Sequence, residues 1–175
     1  MSEIKEFSGI YHFLSNFHPA AVSFEGQIYP SVEHAYQAAK TLDPEEREII
    51  RGSTTPGMAK KLGKHVTLRS GWISEDVRDR VMAELVWKKF STHPRLAQKL
   101  LDTGDANLVE GNIWGDTYWG VCRGMGENML GEILMQVRQH LRRMHEHGTI
   151  GNLYQKVSNG QELQQQGNTI NHVGS

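Results

Sequence analysis

The segment Ser31-Val32-Glu33-His34-Ala35-Tyr36-Gln37-Ala38-Ala39-Lys40 carries the residues whose types and spacing bear most directly on chemistry. Written as a helix, it puts Glu33, Gln37 and Lys40 at i, i+4 and i+7, on one face. That face joins a carboxylate to an amine across an amide, among small residues that let a ligand approach. Such trios also occur on ordinary solvent-facing helices, and spacing by itself favours that plainer reading. A second cluster runs Glu110-Gly111-Asn112-Ile113-Trp114-Gly115-Asp116-Thr117-Tyr118-Trp119-Gly120. Three aromatic rings around one aspartate, punctuated by glycines, make poor helix or strand sequence, and such loops tend to be positioned for binding. A ring could stack on a nucleobase while the carboxylate works on a sugar. Equally, the rings could plug the core and Asp116 could make a turn.

From Ile49 to Ile73 the chain holds Arg51, Lys60, Lys61, Lys64 and Arg69 with no carboxylate between them. A solvated basic face is the commoner meaning of such a run; a local phosphate site is the functional one. Gly124-Met125-Gly126-Glu127-Asn128 precedes a long helical pattern and could offer backbone N–H groups to a phosphate, but it lacks the dinucleotide-binding glycine spacing. His145-Glu146-His147 has no second ligand pair, and Cys122 is the lone cysteine, so neither a metal nor a cofactor is expected.

The elements that must position these residues follow from start and stop signals. Val22–Tyr29 alternates around Glu25-Gly26 and predicts a short hairpin. Ser31 caps a helix through about Thr41; Asp43-Pro44 and Thr55-Pro56 open two more, stopped by Gly52 and Gly63. Ser74-Glu75-Asp76 opens a helix with Val77, Val81, Met82, Leu85 and Val86 inward, and His93-Pro94 another, using Leu96, Leu100 and Leu101. Asn107–Glu110 reads as a short strand. The longest helix spans about Asn128 to His145, with Leu130, Ile133, Leu134, Val137, Leu141 and Met144 on one face.

At 175 residues the chain predicts one domain, and a net charge of −1 lacks the broad basic footprint of a non-specific nucleic-acid binder. The 28 residues Gly148–Ser175 are half Gly, Asn or Gln, with Lys156 and Glu162 the only charges. Such a stretch buries too little apolar surface to order itself, so the domain is expected over 1–147 and a polar tail over 148–175. No apolar run reaches the length of a membrane span. The polar, acidic N-terminus is no signal peptide, and a single cysteine fits a reducing compartment, so a cytoplasmic protein is expected. Oligomeric state is not encoded legibly.

Taken together, these segments resemble the NADAR (YbiA-like) family. The matching pieces are Phe13-Leu14-Ser15-Asn16-Phe17 with Pro19, Tyr29-Pro30-Ser31-Val32-Glu33-His34 and Tyr36-Gln37-Ala38-Ala39-Lys40. Pro56 with Ala59–Gly63, Arg69-Ser70-Gly71-Trp72, Lys89-Phe90, Thr103-Gly104 and Leu108-Val109-Glu110 follow in order. Asp116-Thr117-Tyr118-Trp119-Gly120 and Gly126-Glu127-Asn128-Met129-Leu130-Gly131 complete a register from about residue 7 to 143. The resemblance implies a compact, mainly α-helical α+β domain with a small β-element and metal-independent N-glycosidase chemistry on ribosides. The implied substrates are phosphorylated ribosylamino-pyrimidines of riboflavin biosynthesis, or ADP-ribose attached to guanine in nucleic acid. It implies Glu33, Asp116 and Lys40 as catalytic. Asn16, Phe17, Gln37, Trp72, Tyr118, Trp119, Arg51, Arg69 and Arg123 are implied as substrate-binding. Lys40 could form a Schiff base with the aldehyde-like C1′, or hold a phosphate. The competing reading is a module that binds ADP-ribose or a nucleotide without turnover.

Overall fold

The computed structural model describes residues 2–146 of the chain, so the expected tail lies outside the described residues. Its helices are α1 (Val32–Ala39), α2 (Pro44–Arg51), α3 (Pro56–Leu62), α4 (Val77–Thr92), α5 (Pro94–Asp102) and α6 (Met129–Glu146). Three two-stranded sheets accompany them. β1 (Glu3–Ile4) lies parallel to β4 (Asn107–Leu108), and β2 (Val22–Phe24) antiparallel to β3 (Gln27–Tyr29). β5 (Gly111–Asn112) runs parallel to β6 (Val121–Cys122). The result is the mainly helical α+β architecture anticipated above. The chain divides into two compact units, residues 1–138 and 139–175; of the second, only the end of α6 is described. Among the described residues no helix is long and apolar enough to cross a membrane.

Helix starts follow the capping chemistry of the sequence. The side chains of Ser31, Asp43 and Thr55 accept the N–H groups of His34, of Glu45 and Glu46, and of Met58. Pro44 and Pro56 occupy first-turn positions, where their missing N–H costs nothing. The hairpin turns through Glu25 and Gly26, whose φ values of 44° and 82° are both positive, as a tight turn matched to strand twist requires. α1 stops at Ala39, two residues short of the expected end, and Thr41 instead donates its hydroxyl to Glu46 at 2.5 Å. α4 starts from Asp76 in a left-handed conformation (φ 55°) without a side-chain cap, its first turn held by the Arg78 N–H on the Trp72 carbonyl at 3.0 Å.

α1 is the innermost element. It packs on α2, α3 and α4, and every one of its residues is buried. Buried polar groups need partners, and His34 has two. Its Nε2 faces the Ser53 carbonyl at 3.1 Å, which only accepts, so Nε2 carries the hydrogen and Nδ1 accepts the Ser31 hydroxyl at 2.8 Å. Burial lowers the His34 pKa, which agrees with this neutral tautomer. Val81, Met82, Leu85 and Val86 of α4 are buried, whereas Val77 is only partly so. In α5, Ala97 and Leu100 are buried while Leu96 and Leu101 are partly exposed. Leu130, Ile133, Leu134 and Val137 of α6 complete the core.

β4 ends at Leu108 rather than Glu110 because a side chain takes over the pairing. Asn128, in a left-handed conformation (φ 55°), donates its amide to the Leu108 carbonyl at 2.8 Å and accepts the Glu110 N–H at 3.0 Å. A Cβ on Gly131 would overlap both Leu108 O and the Asn128 amide, so this close approach requires the glycine.

Candidate active site

A cavity of about 680 Å³ opens between the face of α1, the 6–17 segment, the start of α3 and the 110–119 loop. That is room for a nucleotide-sized ligand. The α1 wall presents Glu33, Tyr36, Gln37 and Lys40; the loop wall presents Glu110, Trp114, Asp116 and Trp119. Asn16 and Phe17 line one side, and Lys60 reaches in from α3.

On the helix wall, Gln37 donates its amide N–H to Glu33 Oε1 at 2.7 Å, realising the i, i+4 pair read from spacing. α3 fixes that amide: Gly63, just past the end of α3, lies so close that a Cβ there would overlap the Gln37 side chain. Burial pushes the Glu33 pKa up, opposed by the Gln37 N–H and the ammonium groups of Lys60 and Lys40. Lys40 moves the other way. Its partial burial lowers the pKa, Glu33 raises it, and Lys60 and Lys64 lower it further. Its Nζ lies 5.7 Å from the centroid of the Tyr36 ring. Tyr36 is wedged between Trp72 and Trp119, with ring centroids 5.3 and 5.6 Å away.

On the loop wall, Asn112 and Asp116 exchange hydrogen bonds: Asn112 donates to the Asp116 carbonyl at 2.7 Å and accepts its N–H at 3.1 Å. Asp116 Oδ1 then accepts the N–H groups of Tyr118 and Trp119, at 3.2 and 2.9 Å. Asp116 is therefore a turn former that also lines the cavity. Lys60 Nζ sits 5.8 Å from the ring centroids of both Phe17 and Trp114, so one ammonium links two aromatic faces at the rim. Trp114 itself is 63% exposed.

The structure thus gathers Glu33, Lys40, Asp116, Asn16, Phe17, Gln37 and Trp119 around one cavity, and leaves other sequence candidates elsewhere. Trp72 is buried behind Tyr36. Tyr118 donates its hydroxyl to Asp79 at 2.7 Å, with the Arg78 guanidinium 3.5 Å over its ring. Arg51 pairs with Glu48 at 2.6 Å, and Arg69 with Glu25 at 3.5 Å. Arg123 occupies an exposed turn at φ 52°. Of the five cations in the basic run, the cavity lining includes only Lys60. At the start of α6 the N–H groups of Glu127, Met129 and Leu130 are committed to the carbonyls of Thr117, Tyr118 and Trp119.

Glu110, Lys60, Tyr36 and Trp114 line the cavity without having been singled out as site residues. Glu110 had a legible signal, a carboxylate at the strand end opening the aromatic loop. Lys60 did not stand out from its neighbours Lys61 and Lys64, because charge runs do not report which member turns inward. Among the described residues, no three His, Cys, Asp or Glu side chains are grouped to hold a metal ion.

The NADAR domain model matches residues 3–142. The chain belongs to the NADAR family. This NADAR chain is 38% identical over 134 residues to the N-glycosidase YbiA of Escherichia coli, covering 75% of this chain and 82% of that protein. It is likewise 38% identical over 140 residues to an N-glycosidase of Nostoc punctiforme, covering 77% and 88%. A riboflavin biosynthesis protein of Vibrio vulnificus is 38% identical over 132 residues, 74% of this chain and 35% of that longer protein. In three dimensions the NADAR chain resembles the NMR structure of E. coli YbiA, with a TM-score of 0.72 and 35% identity over 83% of this chain and 89% of that one.

Proposed function

We propose that this N-glycosidase hydrolyses the C–N bond between a base and a phosphorylated ribose. The observation that carries the reading is the convergence of Glu33, Asp116, Lys40 and Lys60 on one cavity of nucleotide size. Breaking a ribosyl C–N bond builds positive charge on C1′ and the ring oxygen, which a nearby carboxylate stabilises. Glu33 takes that role and activates the attacking water. Its hydrogen bond from Gln37 and the neighbouring ammonium groups of Lys40 and Lys60 favour its ionised form, against the burial that opposes it. Asp116 receives ribose hydroxyls with the oxygen its turn leaves free. Tyr36 and Trp119 wall the base from water, and Lys60, held between Phe17 and Trp114, receives the phosphate. The relatives named for riboflavin biosynthesis favour a small ribosylamino-pyrimidine phosphate. The lone thiol of Cys122 fits a cytoplasmic setting for it.

A second reading concerns ADP-ribose on guanine. Burial and two neighbouring lysines hold the Lys40 amine below its ordinary pKa, which favours its attack on an opened C1′ aldehyde. Borohydride added during turnover then leaves a ribosyl adduct on Lys40 by mass spectrometry, and its absence rules out the covalent route. Free-base release from both ribosides separates the substrates. Glu33→Gln decides between enzyme and binding module: release falls by about 10²–10⁴-fold, on the scale of a lost acid–base group, while the substrate still binds. Binding without base release from either riboside by the wild type would establish the module instead.

A further inference from the structure

Glu110 is the cavity carboxyl to which the reading above gives no task. Its backbone is fixed on both sides, the N–H on Asn128 Oδ1 at 3.0 Å and the carbonyl accepting the Val121 N–H at 2.9 Å. The side chain therefore enters the cavity from a rigid base, opposite the α1 face that carries Glu33. Its two oxygens differ. Oε2 is wholly buried and has no hydrogen-bond partner. The charged groups facing it come from every side: Asp116 from its own loop, Glu33 from α1, Lys60 from α3 and Lys89 from α4. Lys89 directs its ammonium hydrogen bond to the Ser15 carbonyl at 2.8 Å rather than to this carboxyl.

An ionised Glu110 would leave a buried, charged oxygen without a donor, beside two other carboxylates. Burial and the Asp116 charge accordingly push its pKa up to about 7. Burial raises the Glu33 pKa too, and what distinguishes Glu33 is its partners. Its carboxylate accepts a 2.7 Å hydrogen bond from Gln37 and has Lys60 and Lys40 as its nearest opposing charges. Two carboxyls in one site, one supplied with donors and one without, divide into a base and an acid. The base that leaves an N-riboside needs such an acid, because an amide or amine nitrogen departs poorly as an anion.

We propose that Glu110 is the general acid of the reaction, donating its carboxyl proton to the base nitrogen as the C1′–N bond breaks. The assignment rests on the N-glycosidase reading and adds the step it lacked. The electron pair of the C1′–N bond leaves with nitrogen, and the Glu110 proton completes the N–H of the free base. Water forms the new C1′–O bond and gives its proton to Glu33. One proton has left Glu110 and one has reached Glu33, and exchange with solvent restores both.

The test compares Glu110→Gln with the wild type on two leaving groups. One is whichever of the two natural-type ribosides, the ribosylamino-pyrimidine phosphate or ADP-ribosyl-guanine, the wild type cleaves. The other is 4-nitrophenyl ribofuranoside 5-phosphate, whose nitrophenolate departs without a proton. With the nitrogen-linked substrate kcat falls by about 10²–10⁴-fold, and with the nitrophenyl probe by no more than about tenfold. The wild-type rate falls above pH 7 as the acid loses its proton, and that alkaline limb is absent in the variant. Equal losses on both leaving groups, in a variant at least as stable as the wild type, overturn the proposal. So does a variant that keeps the alkaline limb, or one that cleaves the nitrogen-linked riboside at full rate, and either result leaves the N-glycosidase reading standing. A wild type that releases base from neither riboside removes that reading, and the acid with it.

Discussion

The two walls of the cavity carry the same chemical group and treat it in opposite ways. On the α1 wall, Glu33 projects from a helix that is buried along its whole length, and Gln37 one turn on supplies its oxygen with a donor. On the loop wall, Glu110 stands where β4 gives way to β5, with its backbone fully bonded and one side-chain oxygen unpartnered. The helix makes its own local partner because residues four apart meet. A strand end makes none, since its neighbours in sequence point away and its partners must come from distant segments. The contrast teaches that burial raises both carboxyls in this cavity, while donor supply opposes it at Glu33 and leaves an oxygen of Glu110 without a partner.

Among the residues that support the two carboxyls, the largest effect is expected from removing the donor on the helix wall. Gln37→Leu strips Glu33 of its hydrogen bond, worth about 1.5–3 kcal/mol to a charged acceptor and therefore a roughly 10–100-fold loss in kcat. Because that N–H lowers the Glu33 pKa, its removal moves the acid limb of the pH–rate profile to higher pH. Gly63→Ala acts through the same amide, since the added methyl would overlap the Gln37 side chain. It should shift the same limb in the same direction. An unmoved limb in both variants would mean that Gln37 does not govern Glu33.

On the loop wall the corresponding support is Asn128. Asn128→Gly keeps the left-handed backbone of φ 55° available but deletes two hydrogen bonds, to Leu108 O and from Glu110 N–H. Leaving those backbone groups unpaired costs about 1–3 kcal/mol each where they are buried, read as a drop in the urea midpoint. Glu110→Gln works on the same wall with opposite sign. Its folded pKa of about 7 lies above the ordinary 4.5, so the folded state holds the proton through that window. The stability this contributes is complete below pH 4.5 and is lost as pH rises through 7. The glutamine variant should therefore gain on the wild type, on the order of 1–3 kcal/mol, between pH 4.5 and 7.5 in paired denaturation curves. A constant difference across that range would mean the Glu110 carboxyl is not held protonated.

The helix wall was legible in the sequence and the loop wall only in outline. Ser31 as a cap and the Glu33, Gln37, Lys40 spacing are local facts, and local hydrogen bonds enforce them. What spacing did not reveal is that this polar face is buried, because that depends on α2, α3 and α4 closing over it. β1 is a two-residue strand whose partner β4 lies far along the chain, and β5 and β6 are two-residue strands on either side of an irregular loop, so no periodicity announces them. The aromatic loop disclosed its residue types but not their directions. Trp119 turns to the cavity while Tyr118, one residue earlier, turns to Asp79. Neighbours in an irregular loop take whichever side their carbonyl partners dictate, here the first N–H groups of α6.

The smallest effect separates two cations that the sequence could not tell apart. Lys60 and Arg51 belong to one uninterrupted basic run, yet Lys60 lines the cavity between two aromatic rings and Arg51 is turned to Glu48 on the same helix. Lys60→Met keeps the length of the side chain and much of its contact with the rings but deletes the charge. An ammonium–phosphate contact at a partly exposed rim is worth about 1–2 kcal/mol, so KM should rise roughly 5–30-fold, with kcat altered only as far as the Glu33 pKa rises without the Lys60 charge. The rise should shrink as salt is added, since a phosphate contact near solvent is screened over about 10 Å at 0.1 M. Arg51→Met removes an exposed i, i+3 ion pair and should change stability by less than about 1 kcal/mol, with KM untouched. If the two variants raise KM equally, the phosphate is held by the summed field of the basic run rather than by the one ammonium inside the cavity.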